Sequence, residues 1–192
     1  MLRIRRVPVQ IQMPKAGRPA LAALALAVGL ATSGLVDAQQ VPAPFDPATT
    51  IACVASAQAD APERSGYAVL ACPGRAAQAC IARPGQDNTV GMVACLDAER
   101  RYWDARLNAA HARRLADARK QDAEMASIRA AVAAVEPTLR AMQRAWIAYR
   151  DAACRHEQAQ WMGGTGGGPA TMACHLRETA RQALLLEGWW RQ

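Results

Sequence analysis

Cysteines placed symmetrically about turns constrain this chain more than any other feature. The runs DAPERSG (60–66), RPGQDN (83–88) and MGGTGGGPA (162–170) each separate two stretches that read as helix. Two antiparallel helices bring together residues equidistant from their turn. Cys53 and Cys72 flank the first turn, Cys80 and Cys95 the second, and Cys154 and Cys174 the third. Many connectivities are open to six cysteines, but helical hairpins select 53–72, 80–95 and 154–174. A disulfide closing a loop of about 20 residues stabilises by roughly 3 kcal/mol. The expected fold class is all-α, with antiparallel helical hairpins stapled by disulfides into a bundle.

Composition agrees. The chain is 52% hydrophobic but only 5% aromatic, which suits an alanine-rich helical domain and not a β-sandwich. Helices are expected over 47–59, 67–82, 90–133, from near Pro137 to 161, and over 170–189. Pro73 and Gly74 weaken the second of these. Pro137 belongs in a first turn, where its missing N–H costs nothing.

The first 38 residues read differently. Arg3, Arg5, Arg6, Lys15 and Arg18 precede the apolar run ALAALALAVGLA (20–31), and Val36 and Ala38 are small residues at a cleavage position. This is the pattern of a secretory signal peptide cut after Ala38, with Met13 as a second candidate start. The run is shorter than the roughly 20 residues a membrane span needs, so no stable membrane anchor is expected after cleavage. Residues 39–46 read as a disordered linker. An even number of cysteines, all beyond residue 38, fits a periplasmic or secreted protein.

Removing residues 1–38 leaves 18 basic against 15 acidic residues, or +3, where the whole chain carries +7. The basic residues are interleaved with acids, with no stripe for nucleic acid.

Leu139, Gln143, Trp146, Arg150 and Cys154 share one helix face by steps of four, three, four and four. Trp146 therefore reads as a core anchor. Arg150, on the same stripe, needs a partner. Asp104, Asn108 and His111 form a polar stripe beside the apolar pair Trp103 and Leu107. A structural polar cluster of Asp104, Asn108, Trp146 and Arg150 is expected, with Asp104 paired to Arg150 and Asp151 pointing away. Trp189 and Trp190 are adjacent and cannot face one strip together. They are read first as a cover for the domain's own core, and where exposed as the candidates for contact with a partner.

Catalytic signatures are lacking. There is no G-x-S-x-G, and beyond residue 38 serine occurs only at 56, 65 and 127. The glycine-rich run 162–170 has no Lys-Ser/Thr signature and no preceding strand, so it reads as a hairpin turn. Cys154, His156, Cys174 and His175 fit no usual zinc spacing. No metal, no cofactor and no enzyme activity are expected.

The sequence resembles the LprI-type lysozyme inhibitor family, specifically its exported N-terminal-domain-like members. The resemblance lies in Cys95, WDARLNAAH, LRAMQRAWIAYRDAAC and GGTGGGPATMACHLRETARQALLLEGW, taken in that order. His111 stands where the family usually shows Tyr. The resemblance covers an LprI-like helical domain over 91–192, preceded by a four-cysteine helical head over 47–90. It implies an exported helical protein that inhibits a wall-cleaving lysozyme by protein–protein contact. The alternative is a periplasmic structural or envelope-stress protein that binds peptide or glycan and has no lysozyme target.

Overall fold

The computed structural model describes residues 45–60 and 66–189. The expected signal peptide lies outside the described residues, as does Trp190. Among the described residues six helical segments follow one another: α1 (Ala48–Asp60), α2 (Gly66–Val69), α3 (Arg75–Ile81), α4 (Thr89–Ser127), α5 (Val135–Ala159) and α6 (Gly167–Glu187). No strand occurs among the described residues. All three expected disulfides are present: Cys53–Cys72, Cys80–Cys95 and Cys154–Cys174, with Cα separations of 5.5, 5.7 and 5.4 Å. The molecule is an all-α, disulfide-stapled bundle.

The helix ends have local causes. Asp46, the last residue of the expected linker, accepts the Ala48 N–H at 2.9 Å and caps α1. The helix expected over 67–82 is split. Pro73 has no N–H to donate, and Gly74 takes a left-handed φ of 98°, so the chain breaks between α2 and α3. Asn88 caps α4 by accepting from Val90 N–H and Gly91 N–H, both at 3.0 Å. That helix ends at Ser127, six residues short of the sequence expectation. The chain turns early because Asp122 of α4 reaches across to cap α5. Its carboxylate accepts the Val135 and Glu136 N–H groups at 2.6 and 2.9 Å, which Ala134, at the N-cap, has no side chain to do.

Packing centres on α4 and α6. Trp103, Leu107 and Ala110 of α4 meet Leu176, Ala180, Ala183 and Leu184 of α6 in one buried cluster. Val54 and Ala57 of α1, Val69 of α2, and Cys72 and Ala77 join the same cluster. The head expected over 47–90 thus shares its core with the bundle, and its fourth cysteine, Cys95, belongs to α4. Trp103 is the largest fully buried side chain and the central anchor of this core.

One carboxylate joins head to bundle. Glu99 of α4 is 0% exposed. It accepts hydrogen bonds from Thr50 Oγ1 (2.9 Å), Gly74 N–H (2.8 Å), Ala77 N–H (2.7 Å) and Trp103 Nε1–H (3.1 Å). Thr50 Oγ1 in turn accepts the Ala76 N–H at 3.1 Å. The first backbone donors of α3 have no intrahelical acceptor. Glu99 and Thr50 supply acceptors from two other helices, and the negative group sits at the positive end of the α3 dipole.

At the other end, Arg106 of α4 forms an ion pair with Glu187 of α6 at 2.6 Å, its guanidinium 4.5 Å above the Trp103 ring. Arg114 Nε donates to the Leu186 carbonyl at 2.7 Å near the end of α6. The α4–α6 pair is therefore rigid, whereas α5 buries only Cys154 completely.

Candidate functional site

The lightly packed face of α5 is where the bundle remains open. Val135, Leu139, Met142, Trp146 and Tyr149 follow steps of four, three, four and three along α5. That is the seam of a helix meant for another helix. Leu139 and Trp146 touch the core edge and are half-buried. Met142 and Tyr149 are exposed, Tyr149 at 59%. Facing them on α6 is Leu185, 42% exposed in spite of its size.

Two hollows meet at Leu185. One, of about 370 Å³, is lined by Trp146, Tyr149, Glu178, Arg181, Gln182 and Leu185. The other, of about 590 Å³, continues along α4 past Ala118 and Gln121, with Val135, Leu139 and Met142 opposite. Gln182 spans the seam, donating to Gln143 Oε1 at 2.9 Å and to Met142 Sδ at 3.6 Å. Charges stand on the rims: Asp117, Lys120 and Glu124 on α4, Glu178 and Arg181 on α6. An apolar and aromatic floor with a polar rim is the arrangement of a binding surface.

The expected polar cluster does not assemble. Arg150 pairs with Asp151, donating through Nε at 2.9 Å, and stacks its guanidinium 4.9 Å above the Trp146 ring. Asp104 instead accepts from Asn108 at 3.2 Å, one turn along its own helix, where Asn108 is exposed. The reason is geometric. The carboxylate beside Arg150 in sequence can fold back over the guanidinium, so no acid from α4 is needed. Trp146 is likewise a groove wall at the edge of the core, and Trp103 is the buried anchor. Trp189, a candidate contact residue, is 4% exposed and packs in the core. The left-handed Gly188, φ 96°, turns the chain back so that Trp189 N–H bonds the Leu184 carbonyl.

Sequence reasoning missed Tyr149, Arg181, Gln182 and Leu185 as groove residues. The step of four and three along α5 carried the signal, but only the uneven packing of α5 shows which part of that stripe stays uncovered.

Beside the groove, His175 of α6 has its imidazole held below the usual range. Burial is the main cause, and the Arg150 guanidinium adds to it, with Asp151 opposing and Arg100 assisting. A folded pKa below the unfolded one means the unfolded state binds the proton better. His175 therefore contributes stability above the unfolded value of about 6.5 that is lost as pH falls through the folded value. Urea unfolding between pH 7.5 and pH 5 should show this loss, and His175→Gln should flatten that part of the profile.

No group of His, Cys, Asp and Glu suited to hold a metal occurs among the described residues. No helix among them is long and apolar enough to cross a membrane. The three disulfides fit an oxidising compartment.

No curated protein and no solved structure matches this chain. Residues 80–186 match the family model described as lysozyme inhibitor LprI. The matched span takes in Cys95, the Trp103 core, all of α5, the Cys154–Cys174 staple and nearly all of α6, with the groove between them. The chain belongs to the LprI lysozyme inhibitor family.

Proposed function

We propose that this protein is exported and blocks a wall-cleaving lysozyme by protein–protein contact, using the groove between α5 and α6. One observation carries the reading: the family match encloses a groove whose floor is Trp146, Tyr149, Met142 and Leu185. Aromatic residues and Met are enriched where protein partners meet, and a few such residues supply most of the binding energy. The scaffold beneath is fixed by a disulfide at Cys154 and by the α4–α6 core, so little ordering cost accompanies binding.

A lysis assay tests this. The oxidised chain at micromolar concentration should slow wall lysis by at least one of several lysozyme types. The Trp146→Ala/Tyr149→Ala double variant should weaken that inhibition by about 10-fold to 100-fold. Absence of inhibition against every type would remove the reading.

One feature favours a second reading. The smaller hollow sets Trp146 and Tyr149 beside Glu178, Arg181 and Gln182, a mixture that also suits the apolar faces and hydroxyls of a sugar. An envelope protein that holds glycan or peptide in this groove would retain wall polymer in a pull-down, with or without lysozyme present.

A further inference from the structure

All six cysteines are locked in disulfides. The sulfur still open to chemistry in this chain therefore belongs to methionine. Among the described residues, Met125, Met142 and Met162 are exposed. A thioether is readily attacked by two-electron oxidants, and an exported chain meets these without the reducing pools of the cytoplasm.

Met142 differs from the other two in its neighbour. Gln182 of α6 is only 5% exposed. Its side-chain Nε2 donates to Gln143 Oε1 at 2.9 Å and to Met142 Sδ at 3.6 Å. Among the described residues, no other thioether accepts a hydrogen bond. A thioether is a weak acceptor, so one proton of a buried amide is poorly satisfied here. A sulfoxide oxygen on the same sulfur is a strong acceptor, and its donor is already in place. Met142 also sits where its polarity matters. It is 36% exposed and lines the larger hollow beside Val135, Leu139 and Leu185. Neither Met125 nor Met162 lines either hollow. Oxidation at Met142 turns a flexible apolar contact in the groove floor into a polar, chiral one.

We propose that Met142 Sδ is a modification site, oxidised by peroxide to the sulfoxide, and that the Gln182 amide holds the new oxygen and so weakens the groove for its partner. The inference rests on the function proposed above and adds its regulation. In the step, a sulfur lone pair attacks one oxygen of hydrogen peroxide. The S–O bond forms as the O–O bond breaks. The departing hydroxide takes the proton left on the transferred oxygen and leaves as water. Sulfur gives up two electrons and the peroxide is reduced. A methionine sulfoxide reductase reverses the change.

The disulfide-bonded chain is treated with hydrogen peroxide, and peptide mass mapping locates the added oxygen. The side-chain amide resonance of Gln182 is then followed by NMR. It should move on treatment in the parent and in Met125→Leu/Met162→Leu, and stay in place in Met142→Leu. Inhibition of a lysozyme is compared with each sample's own untreated value. The parent and Met125→Leu/Met162→Leu should lose at least about tenfold in affinity, and Met142→Leu should lose none. Sulfoxide reductase should restore the parent. Met142 left intact while Met125 and Met162 carry oxygen, or a Gln182 resonance indifferent to oxidation at Met142, overturns the site. A resonance that moves while inhibition is unchanged overturns the regulation and leaves the inhibitor function standing. If the untreated chain inhibits no lysozyme type, the proposed function falls and takes the regulation with it, while the Gln182 resonance still decides the site.

Discussion

Glu99→Ala is expected to destabilise the oxidised protein by about 3–5 kcal/mol, because several buried donors lose their acceptor together. For a chain of this size that corresponds to a fall in melting temperature of roughly 10 °C or more. The cause is the number of donors left behind. Thr50 Oγ1, Ala77 N–H and Trp103 Nε1 lose their acceptor at fully buried positions, and Gly74 N–H loses its acceptor at a half-buried one. Each orphaned buried donor costs about 1–3 kcal/mol, reduced where the site relaxes. Glu99→Gln keeps the shape but turns an NH₂ group toward N–H donors, so it should fall between the parent and Glu99→Ala. The damage should begin in the head, because Glu99 supplies the acceptors for the start of α3. Differential scanning calorimetry reads the magnitude, and hydrogen exchange over residues 74–81 reads the location. An unchanged melting temperature for Glu99→Ala would remove the account of how head and bundle are joined.

Losing the Cys154–Cys174 bridge is the second large effect. The Cys154→Ser/Cys174→Ser variant should lose roughly 3 kcal/mol from the freedom returned to a 20-residue loop in the unfolded chain. It should also lose inhibition more steeply than stability. α5 has few buried anchors of its own, so this bridge fixes the distance between the Trp146–Tyr149 wall and the Leu185 wall. Parallel unfolding and lysis assays on the variant separate the two effects. Full inhibition from a destabilised variant would mean that the groove does not depend on the staple. Reduction of all three bridges should go further and abolish the cooperative thermal transition at physiological temperature.

Much of this architecture was legible in the sequence because helical hairpins convert distance from a turn into proximity. That rule alone places Cys53 against Cys72, Cys80 against Cys95 and Cys154 against Cys174. Helix periodicity also placed Trp103 and Leu107 on one apolar face, and both are buried. The site was less legible. Periodicity says that Trp146 and Arg150 share a face, but not how closely the next helix approaches. A hollow lies between α5 and α6 along that face, so Trp146 is a groove wall, and Arg150 pairs with Asp151. Glu99 was hidden for a related reason. Three of its four hydrogen-bond partners come from α1, the turn before α3, and α3 itself, separated by 22 to 49 residues along the chain, and only Trp103 is local. No local pattern announces a buried acid that takes backbone amides from a distant helix. Trp189 could be read either as a cover for the core or as a contact residue, and the left-handed turn at Gly188 decides it by burying the ring.

The central claim is that one side of this stapled bundle, the α5–α6 hairpin, meets a lysozyme. Hydroxyl-radical footprinting of the oxidised chain with and without an inhibited lysozyme reads it most directly, because the residues concerned oxidise readily. Met142, Trp146 and Tyr149 should lose reactivity on binding, while Tyr102 and Met125 on α4 should keep theirs. Protection confined to α1 through α3, or no protection of α5 in a complex that forms, would contradict the account.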